Sequence, residues 1–492
     1  MKAHSPGELS LFRRRVRELI KRPPVTCALN VSAMDVARGL SREAVGSVVV
    51  LDTDGAPIGI VTDRDLRRKI VAEGRDPVAT PVREIMSSPL VTLRPTAFAF
   101  EAVLEMTRHR IRHVVLVEDG RLSGVVSSRD FLALQTTHPV TLAREITRAV
   151  SLDALAELAA RVTALVRRLV DEGGTAYDIG QLVAELNDRI VVRVQGLAAG
   201  ALEAVGEEAP PVRYCWLIFG SEARREQTLR TDQDNGLVYE DPPPHLAARA
   251  AEYYARFADA VIQGLVHVGF PRCPGDSMAS NLIWRQPVSV WEGYFRRWMS
   301  EVRPEHVLAA CIYFDIRSLG GATELATRLL DIVGVEAPRN PVFLRYLAAD
   351  VASRRLPLTI FGNLSVNRNG PHRGALDVKG AGGLQLVGAG RVYNLALSLG
   401  ETNTVDRIRG AGAGGVFTDA EARDITDAYQ HLMRLRLIRQ LDQLARGEVP
   451  DNYITPSRLS RADALLMRDA MKTVSRVQAE VRERFATDLV PA

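Results

Sequence analysis

The first third of the chain repeats one order of hydrophobic and polar positions. The segments GIVTDRDL and GVVSSRDF begin at Gly59 and Gly124, which lie 65 residues apart. Each segment follows a β-branched run and a turn, a pattern that predicts a β-hairpin. Helical spacing of apolar residues flanks each hairpin, and the predicted helices span 33–43, 63–73, 96–109 and 128–136. The pattern therefore predicts a β-α-β-β-α unit that is used twice.

Residues 138–205 change to a purely helical pattern. Apolar residues recur at helical spacing over 146–169, and Gly173-Gly174 interrupts the pattern before a second helical stretch over 178–205. The spacing predicts two long helices that pack antiparallel. These helices either act as a spacer or relay a signal from the first third to the rest of the chain.

The C-terminal third is also mainly helical. Residues 341–361 carry an apolar helical pattern, and TDAE at Thr418–Glu421 forms a capping box. Gly447 is the expected end of the helix that begins there. Ser460–Asp463 opens a further helix, which runs to about residue 486. Together these elements predict a C-terminal helical bundle.

Two basic features of this third each have two interpretations. The Gly-rich stretch 361–383 predicts a loop or hairpin near an active site, and its cations either face nucleotide phosphates or an acceptor, or are solvated. These cations are Arg368, His372, Arg373 and Lys379. A basic stripe on a later helix is either a solvated face or the contact for an acidic partner. The stripe consists of Arg434, Arg436 and Arg439.

The middle of the chain contains the segment VRYCWLIFGSEARREQTLRTDQDNGLVYE, residues 212–240. It predicts a strand over Tyr214–Phe219, a helix over Glu222–Leu229 and a second strand over Gly236–Tyr239. Gly220 ends the first strand and allows the backbone to approach a phosphate closely. The serine that follows can donate a hydrogen bond to the same phosphate.

Two aspartates, Asp232 and Asp234, stand two positions apart before the second strand. Side chains at i and i+2 share one face of a strand, so the two carboxylates can share a divalent cation that relieves their repulsion. Hard oxygen ligands beside a triphosphate favour Mg²⁺. An Asx-rich turn between two strands is the alternative interpretation.

These residues resemble the nucleotidyltransferase superfamily of DNA polymerase beta. The closest resemblance is to the branch of PII-protein uridylyltransferases and glutamine-synthetase adenylyltransferases. Asp232 follows Ser221 by 11 residues, which lies within the spacing of the family. Arg224 and Glu226 occupy the positions eight and six residues before the first aspartate, as in the uridylyltransferases.

The resemblance implies a role for each of these residues. Asp232 and Asp234 would hold two magnesium ions, and Asp315 would complete one metal site and help to deprotonate the acceptor. The residues implied in binding the nucleoside triphosphate are Gly220, Ser221, Arg224 and Glu226. Gln233 and Asn235 depart from the family pattern, although neither departure removes a ligand.

Asp315, in CIYFDIRSLGG (311–321), is the candidate third carboxylate. The pattern places it in the middle of an apolar strand, where a charge is costly without a partner. A metal ion would supply that partner. Alternatively, Asp315 pairs with Arg317 or caps a turn.

The Pro- and Gly-rich stretch 269–285 predicts a long irregular loop. Three of its polar residues either contact the base or ribose, or belong to a structural loop packed by Trp284 and Trp291. They are Ser277, Ser280 and Asn281. Cys273 is predicted to be structural, because no histidine stands near it in the sequence to activate a nucleophile.

The repeated unit of the first third resembles a pair of CBS domains. The signature Gly-h-h-Thr/Ser-x-x-Asp occurs in both halves, as Gly59, Thr62, Asp65 and as Gly124, Ser127, Asp130. The resemblance implies that the hydroxyl contacts phosphate and the aspartate contacts the ribose of AMP or ATP, and that the pair forms a homodimer. Alternatively, the hydroxyls only cap helices.

Composition and charge disfavour some classes of binding partner and some cellular locations. The 63 basic and 59 acidic residues give a net charge of +4, and no aromatic and basic strip accompanies it, which disfavours nucleic acid as a partner. Four scattered cysteines favour a reducing cytoplasm. We expect no membrane contact, because no apolar run approaches the roughly 18 residues of a membrane span.

The sequence as a whole predicts an α+β multidomain protein. The predicted parts are a tandem CBS pair (1–137), a helical connector (138–208), a polymerase-beta-like nucleotidyltransferase domain with a mixed sheet (209–335) and a mainly helical C-terminal domain (336–492). This order resembles bacterial nucleotidyltransferase-like proteins that carry CBS pairs.

The predicted function is Mg²⁺-dependent nucleotidyl transfer from UTP or ATP to a protein acceptor such as a PII-like regulator, controlled by adenine nucleotides at the CBS pair. One alternative is a nucleotide sensor with weak or no catalysis. The other alternative is an enzyme that adds nucleotides to RNA.

Overall fold

The computed structural model describes residues 11–12, 14–132, 139–229 and 232–490. The chain folds as two compact units, Met1–Arg144 and Glu145–Ala492. Across the described residues, every helix is either too short or too polar to cross a membrane.

The first unit contains the predicted β-α-β-β-α repeat twice. Each copy forms a three-stranded sheet in which the first two strands are parallel and the last two antiparallel. The first copy comprises β1 (Thr26–Ala28), α1 (Ala33–Glu43), β2 (Ser47–Leu51), β3 (Pro57–Thr62) and α2 (Asp63–Leu66), which continues as a π-helical turn over Arg67–Val71. The second copy comprises β4 (Thr92–Leu93), α3 (Ala99–Arg108), β5 (His113–Glu118), β6 (Arg121–Ser127) and α4 (Ser128–Leu132). Positions 133–136 of the last predicted helix lie outside the described residues.

The hydrophobic pattern explains why this repeat folds. In the first copy, Val48 and Val50 of β2 and Val61 of β3 are buried against Val36 and Leu40 of α1. The Ser32 side chain accepts a hydrogen bond from the Asp35 N–H and begins α1. The alternation of the strands and the 3.6-residue period of the helix thus meet in one core.

The second unit begins with long helices. These are α5 (Pro139–Arg148), which crosses the boundary between the units, α6 (Leu152–Asp171) and α7 (Ala176–Ala204). The side chains of Ser151 and Thr175 cap α6 and α7, which pack against each other as the sequence predicts. Helix α7 is buried on most of its surface, including the polar residues Asn187 and Asp188.

The second unit is built around a mixed four-stranded sheet in the order β10-β7-β8-β9. Strand β7 (Tyr214–Phe219) pairs antiparallel with β8 (Asn235–Tyr239) and with β10 (Ile316–Gly321), and β8 pairs in parallel with β9 (Arg285–Pro287). The helices beside this sheet are α9 (Pro244–Val268), α10 (Val288–Ser300), α11 (Pro304–Tyr313) and α12 (Thr323–Glu336).

The predicted helix over 222–229 is wrong. A short helix, α8, spans only Gly220–Ala223, and Arg225 shortly after it has a left-handed backbone with φ +57°. The polar residues after it are buried and bond to distant helices instead: the Asn187 Nδ2 donates to Gln227, and the Thr228 hydroxyl donates to Gln440. These long-range contacts replace the local helical hydrogen bonds that the sequence pattern suggested.

The C-terminal part is mainly helical, with an irregular stretch over 354–375 and two short strands. The elements are α13 (Pro341–Ser353), β11 (Leu376–Asp377), a π-helical turn (Lys379–Gly383), α14 (Leu384–Ala396), α15 (Thr404–Ala413), α16 (Asp419–Ala445), β12 (Tyr453–Ile454) and α17 (Arg461–Arg484). Thr418 and Glu421 form the predicted capping box, and Ser460 caps α17. Strands β11 and β12 pair antiparallel.

One face of the mixed sheet and the C-terminal helices share a single hydrophobic core. Leu217 and Phe219 of β7 belong to the same cluster of buried side chains as Phe343 of α13, Leu432 of α16 and Val474 of α17. The cluster therefore joins residues that are separated by more than half of the chain. The predicted domain boundaries stay a prediction.

Candidate active site

Three strands of the mixed sheet end at one place, and the candidate site residues lie there. The Phe219 N–H donates to the Asp234 carbonyl oxygen at 3.0 Å, and the Gly220 N–H donates to the Asp315 carbonyl oxygen at 3.1 Å. The ends of β7, β8 and β10 are thereby tied together. The backbone is therefore close together at Gly220, Asp234 and Asp315, although the side chains of the two aspartates have different surroundings.

Asp232 and Asp234 come together as the sequence predicts, although they precede β8 and do not lie on it. One carboxylate oxygen of each and the Cys273 Sγ all lie within 4.8 Å of one another. Burial, and to a smaller degree the charge of Asp232, raise the pKa of Asp234 to about 6. This electrostatic setting favours a cation between the carboxylates.

The segment that carries these aspartates is joined to the loop over 270–279. The Gln233 N–H donates to the Pro271 carbonyl oxygen at 3.1 Å, and its Nε2 donates to the Phe270 carbonyl oxygen at 3.0 Å. Asn235 donates its N–H to the Ser277 carbonyl oxygen and accepts the Ala279 N–H on its Oδ1. The two residues that depart from the family pattern are thus buried anchors of this loop.

Gly220 has the left-handed backbone that glycine tolerates best, with φ +56°. A Cβ built on Gly220 would lie 3.5 Å from the Asp234 Oδ2. The turn at the end of β7 therefore approaches the aspartate pair closely. Ser221 lies in the first turn of α8 beside it and is partly buried.

Asp315 differs from the prediction in its position and in its contacts. The residues before it form α11, so Asp315 lies between α11 and β10 and not in the middle of a strand. Its side chain is fully buried. Its carboxylate contacts three guanidinium groups: the Arg224 Nη1 at 2.6 Å, the Arg391 Nη2 at 2.6 Å and the Arg407 Nη2 at 2.7 Å. Burial alone would raise the pKa of Asp315, but the three arginines hold it well below its usual range.

Asp315 therefore does not join the aspartates in the group of candidate metal ligands that the described residues form. It does not pair with Arg317 either, because that side chain donates to both Asp188 oxygens, at 2.5 and 2.9 Å. The expectation that Asp315 completes the metal site is not met in this arrangement, since its oxygens already bind arginine.

Arg224 and Glu226 also differ from their predicted role in phosphate binding. Arg224 is buried, and its Nε donates to the Glu226 Oε2 at 2.6 Å. The Glu226 Oε1 accepts the Thr404 N–H at 2.5 Å. Both side chains thus connect the site to the C-terminal helices, and the Arg224 guanidinium is shared between Glu226 and Asp315.

Sequence reasoning missed Arg391 and Arg407. Each lies on a helix of the C-terminal part, α14 or α15, and is almost completely buried. The available signal was Arg391 itself, a single charge within the apolar stretch LQLVGAGRVYNLA of α14. Such a charge requires a buried partner, although the sequence does not show that the partner is Asp315.

Two further cations approach the aspartate pair from the C-terminal part. Burial lowers the pKa of Lys379, whereas Asp232 and Asp234 act in the opposite direction. Arg436 is buried, and its Nε donates to the Asn452 Oδ1 at 2.6 Å. Of the predicted basic stripe, Arg436 is therefore buried, whereas Arg434 and Arg439 are partly exposed and pair with Asp463 and Asp451.

The loop over 269–285 is packed in the way its structural interpretation expects. The hydroxyl groups of Ser277 and Tyr313 are hydrogen-bonded at 2.8 Å, and the Asn281 side chain bonds to Asp276. The rings of Trp284 and Trp291 lie 5.9 Å apart between centroids. The Ser277 and Asn281 side chains are thus used within the fold, whereas the buried Ser280 hydroxyl has no hydrogen-bond partner among the described residues.

In the first unit, the two signature motifs have the same geometry. The Thr62 hydroxyl donates to the Asp65 Oδ2 at 2.6 Å, and the Ser127 hydroxyl donates to the Asp130 Oδ2 at 2.7 Å. Thr62 and Asp65 form a capping box at the start of α2. The capping interpretation thus has direct support in the structure, and nucleotide contact stays a prediction.

Side-chain packing explains why both motifs begin with glycine. A Cβ on Gly59 would lie 2.4 Å from the Met86 Sδ, and a Cβ on Gly124 would lie 2.5 Å from the Ile20 Cδ1. Glycine lets each side chain pack directly on the strand. The repeat of motif and packing in both halves explains why the pattern was readable from the sequence.

Comparison with known proteins agrees with this repeat. Residues 16–72 and 82–137 match the family model of the CBS domain. The CBS domain-containing protein YhcV of Bacillus subtilis is 30% identical over 123 residues, which are 25% of this chain and 86% of that protein. The chain belongs to the family of CBS domain-containing proteins.

Two other relatives match a similar share of this CBS-domain protein. The uncharacterized protein MK0525 of Methanopyrus kandleri is 33% identical over 27% of this chain and 67% of its own length. The solved structure of the CBS domain protein PAE2072 from Pyrobaculum aerophilum, complexed with AMP, is 37% identical. It covers 26% of this chain and 95% of that chain, with a TM-score of 0.23.

The second unit of this CBS-domain protein matches two further family models. Residues 160–305 match "Putative nucleotidyltransferase DUF294", and residues 341–485 match "Putative nucleotidyltransferase substrate binding domain". The first match contains β7 and the aspartate pair. The second contains the elements that supply Lys379, Arg391 and Arg436.

Proposed function

We propose that this CBS-domain protein is a Mg²⁺-dependent nucleotidyltransferase. In the proposed reaction, an acceptor hydroxyl attacks the α-phosphate of a nucleoside triphosphate, and pyrophosphate leaves. The observation that carries the proposal is the pair Asp232 and Asp234, which brings its carboxylate oxygens together beside the Gly220 turn. The family models of the second unit support the same reaction class.

The donor set suits a hard divalent cation, because both aspartates offer carboxylate oxygens within 4.8 Å. Asp232 and Asp234 would hold magnesium, which when bound would neutralise charge on the phosphates. The Gly220 turn and Ser221 would lie against the phosphates. Lys379 faces the same aspartates and would contact the triphosphate in place of Arg224, whose guanidinium is already bound to carboxylates.

The donor is UTP or ATP in this proposal, and the acceptor is a protein of the PII-like regulator class. The part of the chain that matches the substrate binding domain supplies Lys379 and Arg436, which interact electrostatically with Asp232, and this supports an acceptor or donor contact from that part. The homodimer and the cytoplasmic location expected from the sequence belong to the same proposal.

The CBS pair is proposed to bind AMP or ATP and to regulate the transfer. Thr62 and Asp65, and likewise Ser127 and Asp130, hold a hydroxyl and a carboxylate within 2.7 Å of each other in both halves. The hydroxyl would contact phosphate and the carboxylate the ribose hydroxyls. Calorimetry with AMP and with ATP, on the full chain and on its Asp65→Ala and Asp130→Ala variants, tests this part.

Labelled UTP or ATP with Mg²⁺ tests the main proposal. The full chain is incubated with each nucleotide and cell lysate, and the label is followed in protein and in RNA. We expect label on a protein band and none with the Asp232→Ala or Asp234→Ala variant. Label on RNA would assign the chain to RNA modification and overturn the protein-acceptor part.

A nucleotide sensor without turnover is the second candidate. One observation favours it: the third carboxylate expected for catalysis, Asp315, is bound to three arginines and does not face the aspartate pair. Tight nucleotide binding without any labelled product would favour the sensor over the enzyme.

A further inference from the structure

The Cys273 thiol lies beside the aspartate pair and has no role in the proposed transfer. Its Sγ and one oxygen each of Asp232 and Asp234 lie within 4.8 Å of one another. From its sequence context alone, Cys273 is predicted to be structural. Its position in the structure instead adds a soft sulfur donor to two hard oxygen donors.

The position of the thiol is fixed from both sides of the aspartate segment. Gln233 holds the loop before Cys273 through the Phe270 and Pro271 carbonyl groups, and Asn235 holds the loop after it through Ser277. Three of these hydrogen bonds are 3.0 or 3.1 Å long. The two residues that anchor the loop directly follow Asp232 and Asp234, so hydrogen bonds join the segment of the carboxylates to the loop of the thiol.

The anchoring by Gln233 has an energetic cost. Its side chain is 2% exposed, and its Oε1 is buried with no hydrogen-bond partner among the described residues. A buried unsatisfied carbonyl typically costs about 1–3 kcal/mol. The Gln233 side chain thus leaves one buried polar atom unpaired while its Nε2 anchors the loop beside the three candidate ligands.

Ligand chemistry decides which cation such a group would prefer. Magnesium prefers oxygen ligands and near-octahedral geometry, whereas zinc accepts thiolate, carboxylate and water in a tetrahedral set. We propose that Asp232, Asp234 and Cys273 form a site for a thiophilic divalent cation of the zinc class. We also expect an ion bound there to exclude magnesium and to stop transfer. This second expectation rests on the proposed function, whereas the binding of the ion does not.

Two positive side chains lie near enough to Asp232 to oppose a cation at this site. Lys379 and Arg436 both interact electrostatically with Asp232. A cation that gains only carboxylate contacts must overcome this repulsion. A thiophilic cation gains the sulfur contact in addition, so the same surroundings discriminate in its favour.

Cadmium alone, added to the chelator-treated full chain, is the probe. A cadmium–thiolate bond gives an ultraviolet charge-transfer band, which reports the sulfur ligand independently of any activity. We expect one equivalent of cadmium to produce the band in the native chain. The Cys273→Ser variant should lose the band and bind at least about tenfold more weakly. Cys27→Ser is the matched control, because Cys27 is partly buried like Cys273 but lies in the first unit.

Asp234→Asn keeps the thiol and tests the shared site even if Cys273→Ser does not fold. We expect its cadmium affinity to fall at least about tenfold, and that of Gln233→Ala to fall by about 10–100-fold, as for a residue that orients a ligand. An unchanged band in Cys273→Ser, or unchanged affinity in Asp234→Asn, would overturn the proposal.

Magnesium competition separates this inference from the proposed function. Rising Mg²⁺ should weaken cadmium binding if both ions use the aspartate pair, and independent binding would refute the shared site. If the cadmium results hold while no nucleotide is transferred, the cation site stands and the transferase proposal fails. If transfer occurs but Cys273→Ser binds cadmium like the native chain, the transferase proposal stands and the cation site fails.

Discussion

Asp234 and Asp315 precede the two strands that flank β7, at the same end of the sheet, yet their surroundings make them opposites. Asp234 has another carboxylate and a thiol beside it, and its pKa is raised to about 6. Asp315 is bound by three buried arginines, and its pKa is held well below its usual range. Among the described residues, Asp234 therefore forms no ion pair, whereas Asp315 forms three. The comparison shows that the partner side chains decide which acid can serve a cation, and that position on the sheet does not.

The largest expected effect is on stability, at Asp315. Asp315→Asn leaves three buried guanidinium groups without their shared counter-ion, and removal of one partner of a buried ion pair typically costs about 3–5 kcal/mol. Urea unfolding measures this cost. Asp232→Asn at the same end of the sheet is the control, with an expected change within about 0.5 kcal/mol. Equal losses in the two variants would remove the contrast.

The second effect is on the proposed chemistry. Asp234→Ala should lower nucleotide transfer by about a thousandfold, because a bound metal contributes several kcal/mol to stabilising the transition state. Single-turnover transfer with labelled nucleotide measures this loss. The unfolding free energy of the same variant, followed in parallel, should not fall. A variant that loses activity only in proportion to its folded fraction would contradict the assigned role.

The third effect is a pH dependence of opposite sign at the two sites. The folded pKa of Asp234, about 6, lies above the ordinary value near 3.9, so the folded state keeps a proton that the unfolded state has lost. Without metal, its contribution to stability should therefore fall as pH rises from about 4 to 6. Asp315 has a depressed pKa, so its contribution is present above the unfolded value and is lost in acid.

The pH dependence at Asp234 is isolated by comparing the native chain with Asp234→Asn. Their unfolding free energies are measured with a chelator at pH 4.5 and 7. The unfolding free energy of the variant should rise relative to that of the native chain between pH 4.5 and 7, and magnesium should reduce this rise. A constant difference across this range would show that Asp234 keeps an ordinary pKa.

The smallest expected effect is at the turn beside the pair. Gly220→Ala places a side chain in a left-handed backbone, which costs roughly 1–2 kcal/mol. Gly200→Ala in α7 is the control, because nothing lies within 4 Å of its Cβ and alanine favours a helix by about 0.5–1 kcal/mol. Thermal unfolding should move in opposite directions for the two variants. A shared direction would mean that backbone conformation does not limit this turn.

The parts of the fold that were predictable are those specified by nearby residues. The repeated units, the helices α6 and α7 and the caps at Thr418 and Ser460 each follow from spacing within about ten to thirty residues. The proximity of Asp232 and Asp234 follows from their two-residue spacing. A local pattern of this kind needs no knowledge of the rest of the chain.

The parts that were not predictable depend on distant partners. The state of Asp315 is set by Arg391 and Arg407, which are 76 and 92 residues further along the chain. The segment after α8 leaves the predicted helix because Gln227 and Thr228 bond to α7 and α16. Cys273 lies beside the aspartates in a loop that Gln233 and Asn235 anchor, and these two residues appeared in the sequence as departures from a family pattern.

The core shared by β7 and the last helices has a consequence for synthesis. The first unit ends at Arg144 and is complete early, whereas Leu217 waits for Val474 and Val481 of α17, near the end of the chain. At about 5–20 residues per second, the ribosome needs tens of seconds to supply them. During that interval α10 and α12 can cover part of the central sheet, but the core still lacks α17. The nascent second unit therefore keeps apolar side chains of its core exposed, while the first unit can already be native.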